Sequence, residues 1–225
     1  MASTPEQEPV AELEGRAAGL PWRWLGAVDY AAALALQQTW IREHDTRGDC
    51  LLLLEHPSTY TTGRGGSPDN LPLDPTIPVE RVGRGGDVTW HGPGQLVGYP
   101  ILDLRKRGRD VHAYLRALED GIIAFLGNHG VRGCRVSGRT GVWVDQADSP
   151  PRKIASIGIG VRRGISWHGF ALNLAPELGA FDRIVPCGLS GVEMTSMERE
   201  GGPRTASRDA APDIAAAMAP LLAPL

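Results

Sequence analysis

The segment 131–174 constrains the fold most. Four β-type runs, 131–136, 140–144, 153–161 and 165–174, follow one another with only turns between them. A doubly wound sheet needs helices in those gaps, so that architecture is excluded. Asp148-Ser149-Pro150-Pro151 reads as the turn that delivers the chain to Lys153. Upstream, Cys50-Leu51-Leu52-Leu53-Leu54-Glu55 is an apolar run short enough for a buried strand, and 96–102 is a second apolar strand. One helix is expected from an Asp29 N-cap through Tyr30, Leu34, Leu36 and Trp40 to about His44. Another is capped by Asp110, carries Val111, Leu115, Leu118, Ile122 and Phe125 on one face, and stops at Gly130. The Gly-, Pro-, Ser- and Thr-rich segment 57–78 reads as a long loop. Residues 199–208 read as a polar linker, followed by a short Ala-rich helix over 213–222.

The chain has 225 residues, enough for one domain with a substantial core. Residues 1–18 are rich in Glu, Pro and Ala and read as a disordered tail, which leaves 19–225 as a single domain. The many glycines and prolines fit a loop-rich α/β or α+β protein. A net charge of −3 supplies no bulk drive toward nucleic acid or an anionic membrane. The N-terminal stretch lacks the apolar core of a signal peptide, and no apolar run approaches a membrane span. Cys50, Cys134 and Cys187 are odd in number and irregularly spaced, which argues against a disulfide framework and for a reducing compartment. A cytoplasmic location is expected.

Two residues stand out chemically. The chain has two lysines against twenty-one arginines. Lys106 lies in the run Arg105-Lys106-Arg107, where any cation serves, but Lys153 heads an apolar strand that should be dry. An arginine stays charged at any usable pH, whereas a desolvated lysine can exchange a proton. Cys187 stands in a tight turn of small residues, Pro186-Cys187-Gly188-Leu189-Ser190-Gly191. A thiol and a tunable amine are the parts of an activated sulfur nucleophile. Each alone also fits a plain role, the lysine reaching out to water and the cysteine acting as a small apolar side chain.

Three further segments carry polar groups among glycines. In Arg84-Gly85-Gly86-Asp87-Val88-Thr89-Trp90-His91-Gly92-Pro93-Gly94-Gln95, glycines let the backbone approach a ligand, Arg84 can meet a phosphate or an acidic surface, and Trp90 supplies an apolar wall. A plain glycine-rich hairpin is the alternative. It is not a P-loop, because the Gly-Lys-Ser/Thr ending is missing. Gly158-Ile159-Gly160 is not a dinucleotide site, because a strand continues where a helix should begin. In Trp167-His168-Gly169-Phe170-Ala171-Leu172-Asn173-Leu174 the Trp-His-Gly pattern of 90–92 recurs, which points to two strand ends converging on one pocket. His91, His168 and Cys187 could be read as three metal ligands, but no pair has short ligand spacing. His44, His56, His112 and His129 read as helix or loop residues without a functional case.

Together, the run from Arg84 to Pro100, the block Lys153-Ile154-Ala155-Ser156-Ile157-Gly158, the block from His168 to Asn173 and Pro186-Cys187-Gly188 resemble, in order, the signature of the lipoyl(octanoyl) transferase family. The resemblance covers about residues 25–200. Trp90 departs from it, standing where a tyrosine is common in the family. The resemblance implies the α/β (α+β) fold of biotin and lipoate ligases, a mixed, largely antiparallel sheet with flanking helices. It implies transfer of an octanoyl group from octanoyl-acyl carrier protein to a lysine of lipoyl domains, those of 2-oxoacid dehydrogenase complexes and the glycine cleavage H protein. It assigns Cys187 as the acyl-thioester nucleophile and Lys153 as the group that lowers its pKa. It places substrate contacts at Arg84, Gly85, Gly86, Asp87, Val88, Thr89, Trp90 and His91, at Ser156, Ile157 and Gly158, and at Gly169, Phe170 and Ala171. His91 would orient an acyl carbonyl or the incoming amine. Backbone N–H groups of Gly188 or of 156–158 would face the oxyanion. No metal, nucleotide or organic cofactor is implied. The alternatives are an ATP-dependent lipoate or octanoate ligase, a lipoyl-protein amidotransferase and a non-catalytic acyl-binding module.

Overall fold

The computed structural model describes residues 8–71, 76–146, 149–184 and 191–225. Its strands are β1 (Leu13–Ala17), β2 (Leu20–Ala27), β3 (Cys50–Glu55), β4 (Thr59–Thr62), β5 (Val79–Arg81), β6 (Val88–His91), β7 (Gln95–Ile101), β8 (Gly133–Val136), β9 (Arg139–Gln146), β10 (Ser149–Arg162) and β11 (Ile165–Asn173). Its α-helices are α1 (Tyr30–Arg42), α2 (His44–Arg47), α3 (Val111–Asn128) and α4 (Ser207–Met218). Eight strands form the main sheet in the order β1-β2-β3-β7-β11-β10-β9-β8, and β5-β4-β6 form a second, small sheet. In the main sheet only β2 and β3 run parallel, because α1 and α2 carry the chain back between them. All other neighbours there are antiparallel, and for β8 to β11 the short helix-free gaps of 131–174 require it.

β3 shows why its five apolar residues are continuous. Leu51 and Leu53 face α3 and α4 together with Leu118, Ile122, Phe125 and Ile214. Cys50, Leu52 and Leu54 face α1 with Leu36, Trp40 and Ile41. A strand covered on both faces cannot alternate apolar with polar. β10 and β11 cross the same sheet in the register Gly158↔Gly169 and Ile159↔His168.

Several expectations change. Within the stretch read as a disordered tail, Leu13–Ala17 forms β1, an edge strand paired residue by residue with β2. The segment read as a long loop contains β4, buried between β5 and β6, and a 3-10 turn at Pro68–Asn70. Ser149, Pro150 and Pro151 belong to β10 itself, with a bulge between Ser149 and Arg152 that accommodates prolines lacking an N–H, while Asp148 lies outside the described residues. Helix α4 begins at Ser207, ahead of Pro212, inside the stretch read as a linker. Asp29 precedes α1 without a side-chain cap; only its carbonyl receives the Ala33 N–H, at 2.9 Å.

Asp110 does cap α3, its Oδ1 accepting from the N–H groups of His112 at 2.8 Å and Ala113 at 3.0 Å. Asp110→Ala should therefore cost about 1 kcal/mol of stability. Urea unfolding would show this as a lowered midpoint at constant slope.

Candidate active site

The candidate site is built where the loop between β5 and β6 folds over β10 and β11. Arg84 anchors that loop. Its guanidinium is buried and donates to the Thr61 carbonyl and hydroxyl, both at 2.8 Å, and to the Gly85 carbonyl at 3.0 Å. The Gly85 N–H donates to the Ile159 carbonyl on β10 at 2.8 Å. This approach needs Gly158, because a Cβ there would lie 2.9 Å from the Gly85 carbonyl oxygen. Asp87 holds the outgoing end, accepting from the Val88 N–H at 2.7 Å and from Asn70 Nδ2 at 2.6 Å.

Beneath this loop lies one cavity, lined by most of the residues expected to contact substrate. Arg84, Gly86, Asp87, Val88, Thr89 and His91 form one wall. Ser156, Ile157 and Gly158 form a second, and Gly169, Phe170 and Ala171 a third. Gly85 and Trp90 stand outside it. Gly85 spends its N–H on Ile159, as described. Trp90 packs on the opposite side of β6, with Nε1 donating to Ser58 Oγ at 2.8 Å and its ring edge-on to Phe181 at 5.3 Å. Neighbouring strand residues point to opposite faces, and at this end of β6 His91 takes the cavity side and Trp90 the other. The two Trp-His-Gly patterns do converge, since His91 and His168 both line it.

His168 reaches the cavity through backbone strain. Its φ is +55°, a left-handed conformation uncommon for a non-glycine residue. Its N–H goes to Gln37 Oε1 of α1 at 2.7 Å. Its ring lies against that of its neighbour Trp167, centroids 4.1 Å apart, which a regular strand would not permit. Among the described residues neither ring nitrogen of His168 has a hydrogen-bond partner.

Sequence reasoning missed the floor of the cavity. Tyr30, Val97 and Tyr99 line it, and His56 lies behind them. His56 Nδ1–H donates to the Val28 carbonyl at 2.6 Å, so its Nε2 accepts from the Tyr99 hydroxyl at 2.7 Å. Tyr30 lies beside them, its ring tilted against that of His56 with centroids 4.9 Å apart. Burial pushes Tyr30 up to about 12 and His56 down to about 4. Burial, with Arg84 and Arg64 nearby, pushes His168 down to about 3. Burial and the neighbouring His56 hold His91 well below its ordinary value. At neutral pH the floor is therefore polar but uncharged. Nothing in the sequence around Tyr30 or His56 marks them, because they come from a helix start and a loop that only the fold brings together.

Lys153 is the fifth residue of β10, not its head as expected, because the strand starts earlier, at Ser149; it is 3% exposed. Its Nζ stands 5.3 Å from the Trp143 ring centroid, opposite it on β9. Gly141 closes over it at φ +114°; a Cβ there would lie 2.8 Å from Lys153 Cε and 2.5 Å from the Ala155 carbonyl. Buried Glu119 of α3 pins Gly141 by accepting its N–H at 3.1 Å and is itself held by Arg116 and Arg135. On the other edge, Glu193–Thr195 form a strap on β10: the Lys153 N–H donates to the Glu193 carbonyl at 2.8 Å, and the Thr195 N–H to the Lys153 carbonyl at 2.9 Å. Cys187 and Gly188 lie outside the described residues. Among the described residues no group of three His, Cys, Asp or Glu side chains has metal-binding geometry. No described helix is long and apolar enough to cross a membrane.

The histidines give the site a pH dependence. Both His56 and His168 titrate lower in the fold than the ordinary 6.5, so below pH 6.5 the unfolded chain takes up protons that the folded chain refuses. Stability should fall from about pH 6.5 toward 3–4 and lose this dependence below that. Urea midpoints at pH 7 and pH 4.5 measure the fall, which should be smaller in His168→Asn. Gly141→Ala should displace Lys153 by steric conflict and strain. We expect loss of activity, with destabilisation of about 1–3 kcal/mol by thermal unfolding.

Comparison with known proteins places this geometry. The family model described as the lipoyl protein ligase A/B catalytic domain matches residues 29–219. An octanoyltransferase of Geobacter sulfurreducens is 48% identical over 199 residues, covering 88% of this chain and 82% of that protein. A structure of an archaeal lipoylation system from Thermoplasma acidophilum, a bi-partite lipoate protein ligase and its E2 lipoyl domain, superposes with a TM-score of 0.68. It is 13% identical and covers 94% of this chain and 84% of that one. A biotin protein ligase of Aquifex aeolicus superposes with a TM-score of 0.53 at 12% identity, covering 89% and 69%. The fold is the mixed, mainly antiparallel α+β architecture of those ligases.

Proposed function

This chain belongs to the lipoyl protein ligase A/B catalytic-domain family and within it to the octanoyltransferases, a group of acyltransferases, and on that premise we propose how it works. The donor is octanoyl-acyl carrier protein, and the acceptor is a lysine of a lipoyl domain, as carried by 2-oxoacid dehydrogenase complexes or the glycine cleavage H protein. The Cys187 thiolate attacks the donor's thioester carbon, its new C–S bond replaces the old one, and the carrier thiol leaves with a proton. The acceptor amine then attacks the Cys187 thioester. The amide C–N bond forms, the C–S bond to Cys187 breaks, and the amine's proton passes to the protein.

One observation carries this reading. A buried lysine, Lys153, lies on the same strand as Ser156, Ile157 and Gly158, which line a cavity with an uncharged floor. An acyl chain needs such a cavity, and a sulfur nucleophile needs such a cation beside it. Lys153 stabilises the thiolate and then moves protons, a pair of tasks of which an arginine can do only the first.

Intact mass after incubation with octanoyl-acyl carrier protein, without ATP, tests the mechanism. We expect one octanoyl adduct, labile to hydroxylamine and absent from Cys187→Ala. Lys153→Arg should fold and slow turnover by about 100-fold. Acylation that requires ATP and free octanoate would instead make the protein a ligase.

A further inference from the structure

The hydrogen bonds around His91 leave it only one way to meet a substrate. Gln95 Nε2 donates to two acceptors, the Trp90 carbonyl at 3.2 Å and Asn173 Oδ1 at 2.9 Å. The main-chain carbonyl can only accept, so it fixes which end of the Gln95 amide is which. Gln95 Oε1 therefore faces His91 Nδ1, at 2.8 Å, and Nδ1 must carry the proton. Asn173 is fixed in the same manner, its Nδ2 donating to the Thr195 carbonyl at 2.9 Å. On the other side, Thr61 Oγ1 accepts from Arg84, which cannot accept, so its own proton points to His91 Nε2 at 3.3 Å.

His91 Nε2 is thus a lone pair, engaged only by a long hydrogen bond. It can receive a proton donor and cannot serve a carbonyl or an oxyanion. The titratable and charged groups around it agree with a neutral ring. His56 lies edge-on at 5.6 Å and Tyr30 is stacked at 5.8 Å, both uncharged at neutral pH, His168 is neutral there as well, and the Arg84 guanidinium disfavours a further positive charge on the ring. His91 also sits toward the Lys153 end of the cavity. Asn173 links Gln95 to Thr195, which pairs directly with Lys153, whereas His168 is in register with Ile159, six residues farther along β10.

We propose that His91 is the acceptor for the incoming lysine amine of the target protein, and that Gln95 and Asn173 are positioning residues that lock its tautomer. The inference rests on the acyl-transfer reading above. It assigns His91 to the second half of the reaction, amide formation, and gives it no part in forming the acyl-enzyme.

Single-turnover kinetics on the full chain separate the two halves. Octanoyl-acyl carrier protein is mixed with enzyme to follow adduct formation, and isolated acyl-enzyme is mixed with a lipoyl domain to follow amide formation. His91→Ala should slow amide formation at least about tenfold more than it slows acylation. Gln95→Glu keeps an acceptor for Nδ1–H but adds a negative charge that makes the imidazole more basic. The acid limb of amide formation should therefore move to higher pH, which a purely structural role for Gln95 would not produce. Ring ¹⁵N NMR of the unmodified protein needs no variant and should show His91 protonated at Nδ1. A ring protonated at Nε2, or equal slowing of both halves in His91→Ala, overturns the assignment while leaving the transferase reading intact. A wild-type protein that takes up no acyl group overturns that reading and the role of His91 with it.

Discussion

One directed chain of buried hydrogen bonds organises this molecule around its cavity. It starts at the Arg84 guanidinium and passes through Thr61, His91, Gln95 and Asn173 to the carbonyl of Thr195, each group donating to the next. Thr195 in turn donates to Lys153. The chain joins the small sheet, β7, β11, the strap and β10, elements far apart in sequence. Its direction is set at one end by a group that can only donate and at the other by one that can only accept. Chains of this kind polarise along their length and strengthen in a low-dielectric interior. Protonating His91 would turn the Thr61 hydroxyl proton away from Nε2 and so reverse the chain's direction at that link.

The floor beneath follows the same logic. Tyr99 and His56 form a shorter chain that ends on the Val28 carbonyl. Its members and Tyr30 beside it are neutral, so the floor offers polar shape without ionic charge. Among the described residues the one cation on the cavity wall is Arg84, which is engaged by Thr61 and Gly85 and holds the roof in place. The reactive cation, Lys153, is kept at the edge, boxed by Trp143, Gly141 and the strap. Segregating it from the floor leaves the cavity suited to an apolar chain and the lysine suited to charge chemistry.

Much of this was legible in the residues. The helix-free gaps of 131–174 required hairpins, and β8 to β11 are those hairpins. The α3 cap at Asp110 and its apolar stripe appear where spacing placed them. Lys153 was marked by its rarity and its apolar surroundings, and it is buried. The glycine-rich loop and the two Trp-His-Gly patterns were marked by composition, and both histidines reach the cavity. Trp90 was misread as a cavity wall because composition does not say which face of a short strand a residue takes. β1 and β4 were missed because an edge strand and a strand in a small sheet carry too little apolar periodicity to register.

Local spacing and residue chemistry determined the element types, the dry lysine and the loop that can approach a ligand, because those follow from forces acting within a few residues. Only the tertiary structure decided that Tyr30, His56 and Tyr99 form one floor, that Arg84 is spent on Thr61, and that His91 carries its proton on Nδ1. Those facts depend on partners dozens of residues away, and a hydrogen bond's direction is known only when both of its ends are in place.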